Sequence, residues 1–489
     1  MAANERERIS AVDTAWLRMD RPSNLMMICG VLLFRERLAL ARLKKVISER
    51  FLVFRRFRQR PVESTAAAFW ETDPAFDLDH HVVPMSLTGR AGTRELQSLV
   101  SQLVSTPLDP ARPMWQFHLV DNFDGGSALI ARIHHCYADG IALVRVMLSM
   151  TDSEANGAPA MPFEPRERKR TPQTDSSDDM FSQLITPFRG GLDSARKIGG
   201  TLIEKGVEIW NDPAKAVDLA GRASALTAEI ANLALMAQDS ATRFKGTPGI
   251  AKRVAWADPL SLPEVKTIGK ALGASVNDVL LASVAGALRS YLLEKGDRAD
   301  GVMLRALVPV NLRPIEKAYR LGNQFGLVFL DLPIGIENPV ERLYKVRANM
   351  RALKDSYQPI LALGLLAAMG AGPKILQEKL LAILARNATA VMTNVPGPQK
   401  PLYLAGGRIE SLMFWVPQSG NIGIGVSIIS YNDSVQFGVV TDRGLCPDPE
   451  KLMARFGTEF EKLVLTTLMS PWPRDGELDP DIAAQAIAS

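Results

Sequence analysis

Residues 133–140 read Ile-His-His-Cys-Tyr-Ala-Asp-Gly and hold two of the five histidines in a chain of 489 residues. A neutral imidazole has an ordinary pKa of about 6.5, so near pH 7 it can take a proton from an alcohol. A histidine at a strand end, facing a cleft, is therefore a good general base. Alternating hydrophobicity over 128–135 predicts such a strand, and Ile141, Val144, Met147 and Leu148 at helical spacing predict a helix directly after it. Side chains alternate along a strand, which sets His135 on one face and His134 on the other. One of them would meet the cleft and the other would prop it. Asp139 could orient the loop through an ion pair, or cap a helix starting at Gly140 or Ile141.

The other paired histidines, His80 and His81 in Asp-Leu-Asp-His-His-Val-Val, have no Asp-Gly behind them and read as structural. Cys29, Cys136 and Cys446 stand far apart, with neither a CxxC pair nor zinc-ligand spacing, so buried thiols and no metal site are expected. Cys136 falls inside the motif, yet nothing near it marks a thiol nucleophile.

Stepping outward, the elements that hold these residues must belong to more than one core, because the chain is too long for a single one. Apolar residues at 47% and charged residues at 22% give the balance of a folded protein, and a net charge of +4 is too small for a nucleic-acid-binding face. The N-terminus lacks a secretory apolar core, and the most apolar stretch, 359–372, is too short to cross a bilayer. Helices are predicted over 95–104, ending before Pro107, and over 275–296 and 341–357. Strands are predicted over 302–312 and 325–334, with a hairpin over 421–442 turning at Asn432-Asp433. Residues 152–180 are rich in Pro, Ser and charge and read as a linker, and 181–245 is Ala- and Leu-rich and predicted helical. The division expected is an N-terminal α/β domain over 1–151, a linker with a helical connection over 152–248, and a C-terminal α/β domain over 249–489. Segment 42–60 mixes basic with apolar residues and fits either a lipid-binding amphipathic surface or an early helix with its apolar face in the core.

His134-His135-Cys136-Tyr137-Ala138-Asp139-Gly140 resembles the HHxxxDG signature of the chloramphenicol-acetyltransferase-like superfamily. FDLDHHV (76–82), PLDPARPMW (107–115), SVNDVLLASVAGALR (275–289), TNVPGP (393–398), PLYLAGGRIESL (401–412) and ISYNDSVQFGVVTD (429–442) narrow this. They resemble the bacterial wax ester synthase/diacylglycerol acyltransferase family from about Asp13 to Phe456. Pro113-Met114-Trp115 stands where that family usually has Pro-Leu-Trp, a change that keeps volume and apolarity. The DFGWG motif of peptide-synthetase condensation domains is absent from the sequence.

The resemblance implies an α/β fold of two chloramphenicol-acetyltransferase-like sandwich domains facing each other across a central tunnel, joined by a long linker with helices. It implies an O-acyltransferase that moves a fatty acyl group from acyl-CoA, the co-substrate, to a long-chain alcohol or diacylglycerol, with no bound cofactor and no metal. His135 would be the base and His134 its neighbour, with Asp139 and Gly140 completing the motif and Pro113, Trp115 and Asp278 in support. Asn277 is a candidate oxyanion donor, although Asn277 or Ser275 could equally be the N-cap of the long helix. Greasy substrates imply a cytoplasmic enzyme held peripherally at the inner membrane face or on lipid inclusions. Two other readings stay open: a catalytically silent lipid-droplet-binding protein, and a relative that acylates a natural-product alcohol or amine.

Overall fold

The computed structural model describes residues 6–64, 67–155, 157, 236–311, 322–323, 325–354, 358, 362, 387–418 and 420–469. Nearly all of the predicted linker, the helical prediction over 181–235 and all of the apolar stretch 359–372 except Ala362 lie outside the described residues. The end of the helical prediction, 236–245, is not helical. Its polar side chains serve a neighbouring strand instead: Asp239 accepts from Arg305 N at 2.9 Å and Ser240 Oγ accepts from Met303 N at 3.0 Å. Such local bonding competes with a helix.

The motif strand, Gly126–His134, is buried along all nine residues and lies inside a six-stranded sheet. In order that sheet runs Tyr403–Leu404, Gly407–Trp415, Met27–Phe34, Gly126–His134, Trp115–Phe123 and Val82–Met85. A central strand covered on both faces needs an unbroken apolar run, which Ala-Leu-Ile-Ala-Arg-Ile supplies apart from Arg132. Gly407–Trp415, from the C-terminal half of the chain, is part of this N-terminal sheet and pairs antiparallel with Met27–Phe34.

The second sheet runs Phe325–Leu332, Leu304–Asn311, Ala390–Pro396, Ile424–Tyr431, Ser434–Asp442 and Lys252–Trp256, with Leu260–Ser261 added beside Ser434–Asp442. Its hairpin turns at Asn432 and Asp433, both at positive φ (46° and 58°), the left-handed pair that a two-residue turn needs. Helices Val276–Glu294, Pro339–Lys354 and Pro449–Met469 pack together and against this sheet. Among the described residues only Val276–Glu294 is long and apolar enough to cross a bilayer, and it is mostly buried in this second core. Between those helices Arg342 and Glu459 form a buried ion pair at 2.6 Å, and Arg342 also donates to the carbonyls of Ala282, Ile336 and Glu337.

Segment 42–60 is not one amphipathic helix. It divides into helix Leu40–Val46, a wide turn Ile47–Phe51, a tight turn Arg55–Arg58 and strand Gln59–Glu63. Phe51, Leu52, Phe54 and Phe57 would spread around a continuous helix, whereas the broken path turns Phe51, Leu52 and Phe57 into the core. The core reading holds for these side chains. Arg56 lies over the Trp70 ring at 4.4 Å and pairs with Glu7 at 2.7 Å, and Lys44 pairs with Asp79.

Candidate active site

The strand ends at His134, one residue earlier than predicted, and His135 opens the turn that follows. The motif backbone is anchored on every side. His134 N donates to Met114 O at 3.0 Å, and His135 N donates to Met26 O at 2.7 Å. The Tyr137 hydroxyl accepts from Met114 N at 2.9 Å and donates to Gln59 O at 2.7 Å. The Pro113–Trp115 segment thus braces the turn by its backbone, while the Trp115 indole is fully buried and donates to Phe57 O at 2.8 Å.

The two rings meet different surroundings. His134 Nδ1 accepts from Cys136 N at 3.2 Å, which leaves the proton on Nε2, 3.7 Å from Asp20 Oδ1. Asp20 is held in turn by Met26 N at 2.6 Å. Met27, the register partner of His134, lines a crevice between the lobes with Asn24, Cys29, Trp415 and Gln418. His135 stacks on Trp16, with centroids 4.1 Å apart and planes 18° from parallel, and Phe325 closes in at 5.6 Å.

The expectation of an imidazole open to a cleft is corrected here. His135 is 4% exposed, because aromatic rings from both halves of the chain close over it. Burial pushes its pKa down to about 3, with His134 adding to the fall; its own carbonyl and Asn323 pull the other way. At neutral pH the ring is uncharged. Burial, with Asp13 and Asp20 close by, pushes the Cys136 thiol well up, so it offers no thiolate.

Asp139 is the N-cap of helix Gly140–Met150, its Oδ1 accepting from Ala142 N at 2.9 Å. Asp139 N also donates to Gly322 O at 3.3 Å, and Ala138 pairs with Gly322 in a parallel bridge. Gly322 sits at φ 108°, where other residues are strained. A Cβ at Gly140 would meet nothing within 4 Å among the described residues, so packing there does not demand glycine.

The N-cap of the long helix is Ser275, not Asn277. Ser275 Oγ accepts from Asp278 N at 3.2 Å, and Asp278 Oδ2 accepts from Ser275 N at 2.9 Å, a reciprocal capping box. Asn277 instead accepts from Asn394 Nδ2 at 2.9 Å, which leaves its own amide N–H groups for another acceptor. Among the described residues no hydrogen bond joins Asn277 to His135. The other histidine pair is divided: His81 is buried, stacked between Phe76 and Trp115, and bonds Trp115 O through Nδ1 at 2.8 Å, while His80 is exposed.

Five residues of this site carried no functional reading in the sequence: Asp13, Trp16, Asp20, Asn323 and Phe325. Asp13 was visible as an acid on the apolar face of helix Ala11–Met19, among Ala15, Trp16 and Met19. Asn323 carried no signal, since nothing local says that it reaches the opposite lobe.

Residues 9–280 match the catalytic domain of the wax ester synthase/diacylglycerol acyltransferase family, and residues 321–464 match its C-terminal domain. The chain belongs to that family. A Mycobacterium tuberculosis H37Rv protein named as a diacylglycerol O-acyltransferase is 29% identical over 441 residues, covering 86% of this chain and 82% of the relative. Another from the same organism is 27% identical over 414 residues, covering 84% of each. The fold is similar to that of the wax ester synthase/diacylglycerol acyltransferase from Marinobacter aquaeolei VT8, with a TM-score of 0.66 at 23% identity, covering 95% of this chain and 100% of that one. It is also similar to the starter condensation domain of rhizomide synthetase, with a TM-score of 0.55 at 13% identity over 97% and 98% of the two chains. This wax ester synthase/diacylglycerol acyltransferase family member thus has the mixed α/β fold that its motifs imply.

Proposed function

We propose that this chain is an acyl-CoA-dependent O-acyltransferase that esterifies a long-chain alcohol or diacylglycerol, with His135 as general base. The observation that carries the assignment of the base is the place of His135 in the motif, in a turn fixed by Met26, Met114 and Tyr137 where the two lobes meet. Nε2 removes the hydroxyl proton as the oxygen attacks the thioester carbon. The tetrahedral oxyanion then collapses, the carbon–sulfur bond breaks, and the imidazolium returns its proton to the departing CoA thiolate. Asn277, oriented through Asn394, is the oxyanion donor in this reading. His134 and Asp139 hold the turn and the helix behind it. Because the ring is enclosed, turnover requires Trp16 or Phe325 to move.

The substrates' long chains favour attachment to the inner membrane face or to lipid inclusions, which liposome flotation of wild type against Arg55→Ser/Arg58→Ser would check. The deciding test of the reaction is thiol release from a long-chain acyl-CoA with hexadecanol or diacylglycerol, with the lipid product identified. His135→Ala should stay folded and lose roughly 10²–10⁴-fold in turnover. Near-normal turnover in that variant would remove His135 as the base.

A further inference from the structure

Asn323 comes from the C-terminal half of the chain and reaches the catalytic turn of the N-terminal half. Its Nδ2 donates to His135 O at 2.8 Å and to Asp13 Oδ1 at 2.7 Å, and its backbone N donates to the same Asp13 oxygen at 3.1 Å. Both neighbours of the amide nitrogen are acceptors, so turning the amide over would set oxygen against oxygen twice; the orientation is fixed. Asp13 is anchored from its own helix, where its N donates to Ser10 Oγ at 3.1 Å. The grip sits beside the bridge from Gly322 to Ala138 and Asp139, so two consecutive residues of one lobe hold both ends of the other lobe's turn.

We propose that Asn323, held by Asp13, is a positioning residue for His135: by gripping the His135 carbonyl across the lobe boundary, it fixes the ring so that Nε2 meets the acceptor hydroxyl. This rests on His135 being the base. Packing alone does not account for the residue. Asn323 Oδ1 is buried without a hydrogen-bond partner, and His135 Nδ1 is likewise buried and unpaired. An apolar side chain of the same size would leave the buried Asp13 carboxylate and the His135 carbonyl without this donor, so the position calls for the amide and not for bulk alone. Asp13 is pushed up by burial and drawn back chiefly by Asn323.

The test uses the full chain, with kcat counted per folded molecule. Asn323→Ala and Asp13→Ala should each lower kcat by roughly 10–100-fold, the cost of a misplaced reacting group, with KM for acyl-CoA changed less than about threefold. Asp13→Asn keeps an acceptor oxygen in the same place and should restore kcat to within about threefold of wild type. An unchanged kcat and unchanged pH profile in Asn323→Ala, with only a lower melting temperature, would overturn the proposal. His135→Ala separates the two ideas: if it keeps activity, the base assignment fails; if it is inactive while Asn323→Ala is normal, only the positioning role fails. Should Asn323→Ala not fold, Asp13→Ala decides by the same readout, because an unchanged kcat and pH profile there overturns the proposal.

Discussion

Trp16 lies flat on His135, 4.1 Å between centroids, and this one contact couples access to the imidazole with its basicity. The indole shuts out water, and the same exclusion holds the imidazole at a pKa of about 3. Replacing Trp16 by Ala should let water reach the ring and move its pKa up toward 6.5. The acid limb of kcat/KM then climbs into the range between pH 5 and 7, whereas in wild type it lies below it. A pH–rate profile of both proteins checks this, and coincident acid limbs would show that the indole does not set the ring's basicity.

A separate imidazole ties stability to pH. His118 is buried beside Arg132, neither ring nitrogen has a hydrogen-bond partner, and burial pushes its pKa down to about 4, with Arg132 adding to the fall. The unfolded chain takes up a proton near pH 6.5 that the folded chain refuses. Its effect on stability is therefore absent above pH 6.5, grows as pH falls, and is complete below about 4. By pH 4.5 it should cost roughly 2–3 kcal/mol. Urea unfolding of wild type and His118→Phe at pH 7.5 and 4.5 isolates this share, because the carboxylates are common to both. Equal pH dependence in the two proteins would contradict it.

The start of the long helix separates two roles that looked alike in sequence. Ser275→Ala removes the cap and should cost about 1 kcal/mol of stability while leaving turnover nearly intact. Asn277→Ala leaves the cap in place and should lower turnover far more than melting temperature. Thermal melts beside initial rates read both, and a large melting loss in Asn277→Ala with normal rates would return this residue to a structural role.

Gly286 leaves room for the buried pair Arg342–Glu459. A Cβ there would stand 2.2 Å from Glu459 Oε2 and 2.4 Å from Arg342 Nη2. Gly286→Ala should therefore destabilise the protein by about 3–5 kcal/mol, the range for a broken buried pair, although alanine is the better helix former. Chemical denaturation measures it, and a gain in stability would mean that the pair shifts at little cost.

The periodicities placed the main elements because they arise from burial that each segment satisfies on its own face. Predicted 275–296 became Val276–Glu294, and the hairpin turned where Asn432-Asp433 said it would. The motif's position at a strand end was equally legible, since a nine-residue buried strand leaves its mark in Ala-Leu-Ile-Ala. The core face of segment 42–60 was legible but its path was not, because its phenylalanines reach the core from consecutive short turns, and composition is blind to where a helix breaks. What encloses His135 was illegible for another reason. Trp16, Asn323 and Phe325 approach from about 120 to 190 positions away, and no local pattern encodes so distant a partner.

Strand Gly407–Trp415 pairs along Met27–Phe34, so the last third of the chain completes the sheet that carries the histidines. A fragment stopping short of residue 407 would leave the Met27–Phe34 ladder unpaired along one whole side, an open template for other chains. Synthesis of the histidine motif therefore precedes by more than 260 residues the piece that seals its sheet. Parting the lobes would therefore break the ladder between Gly407–Trp415 and Met27–Phe34.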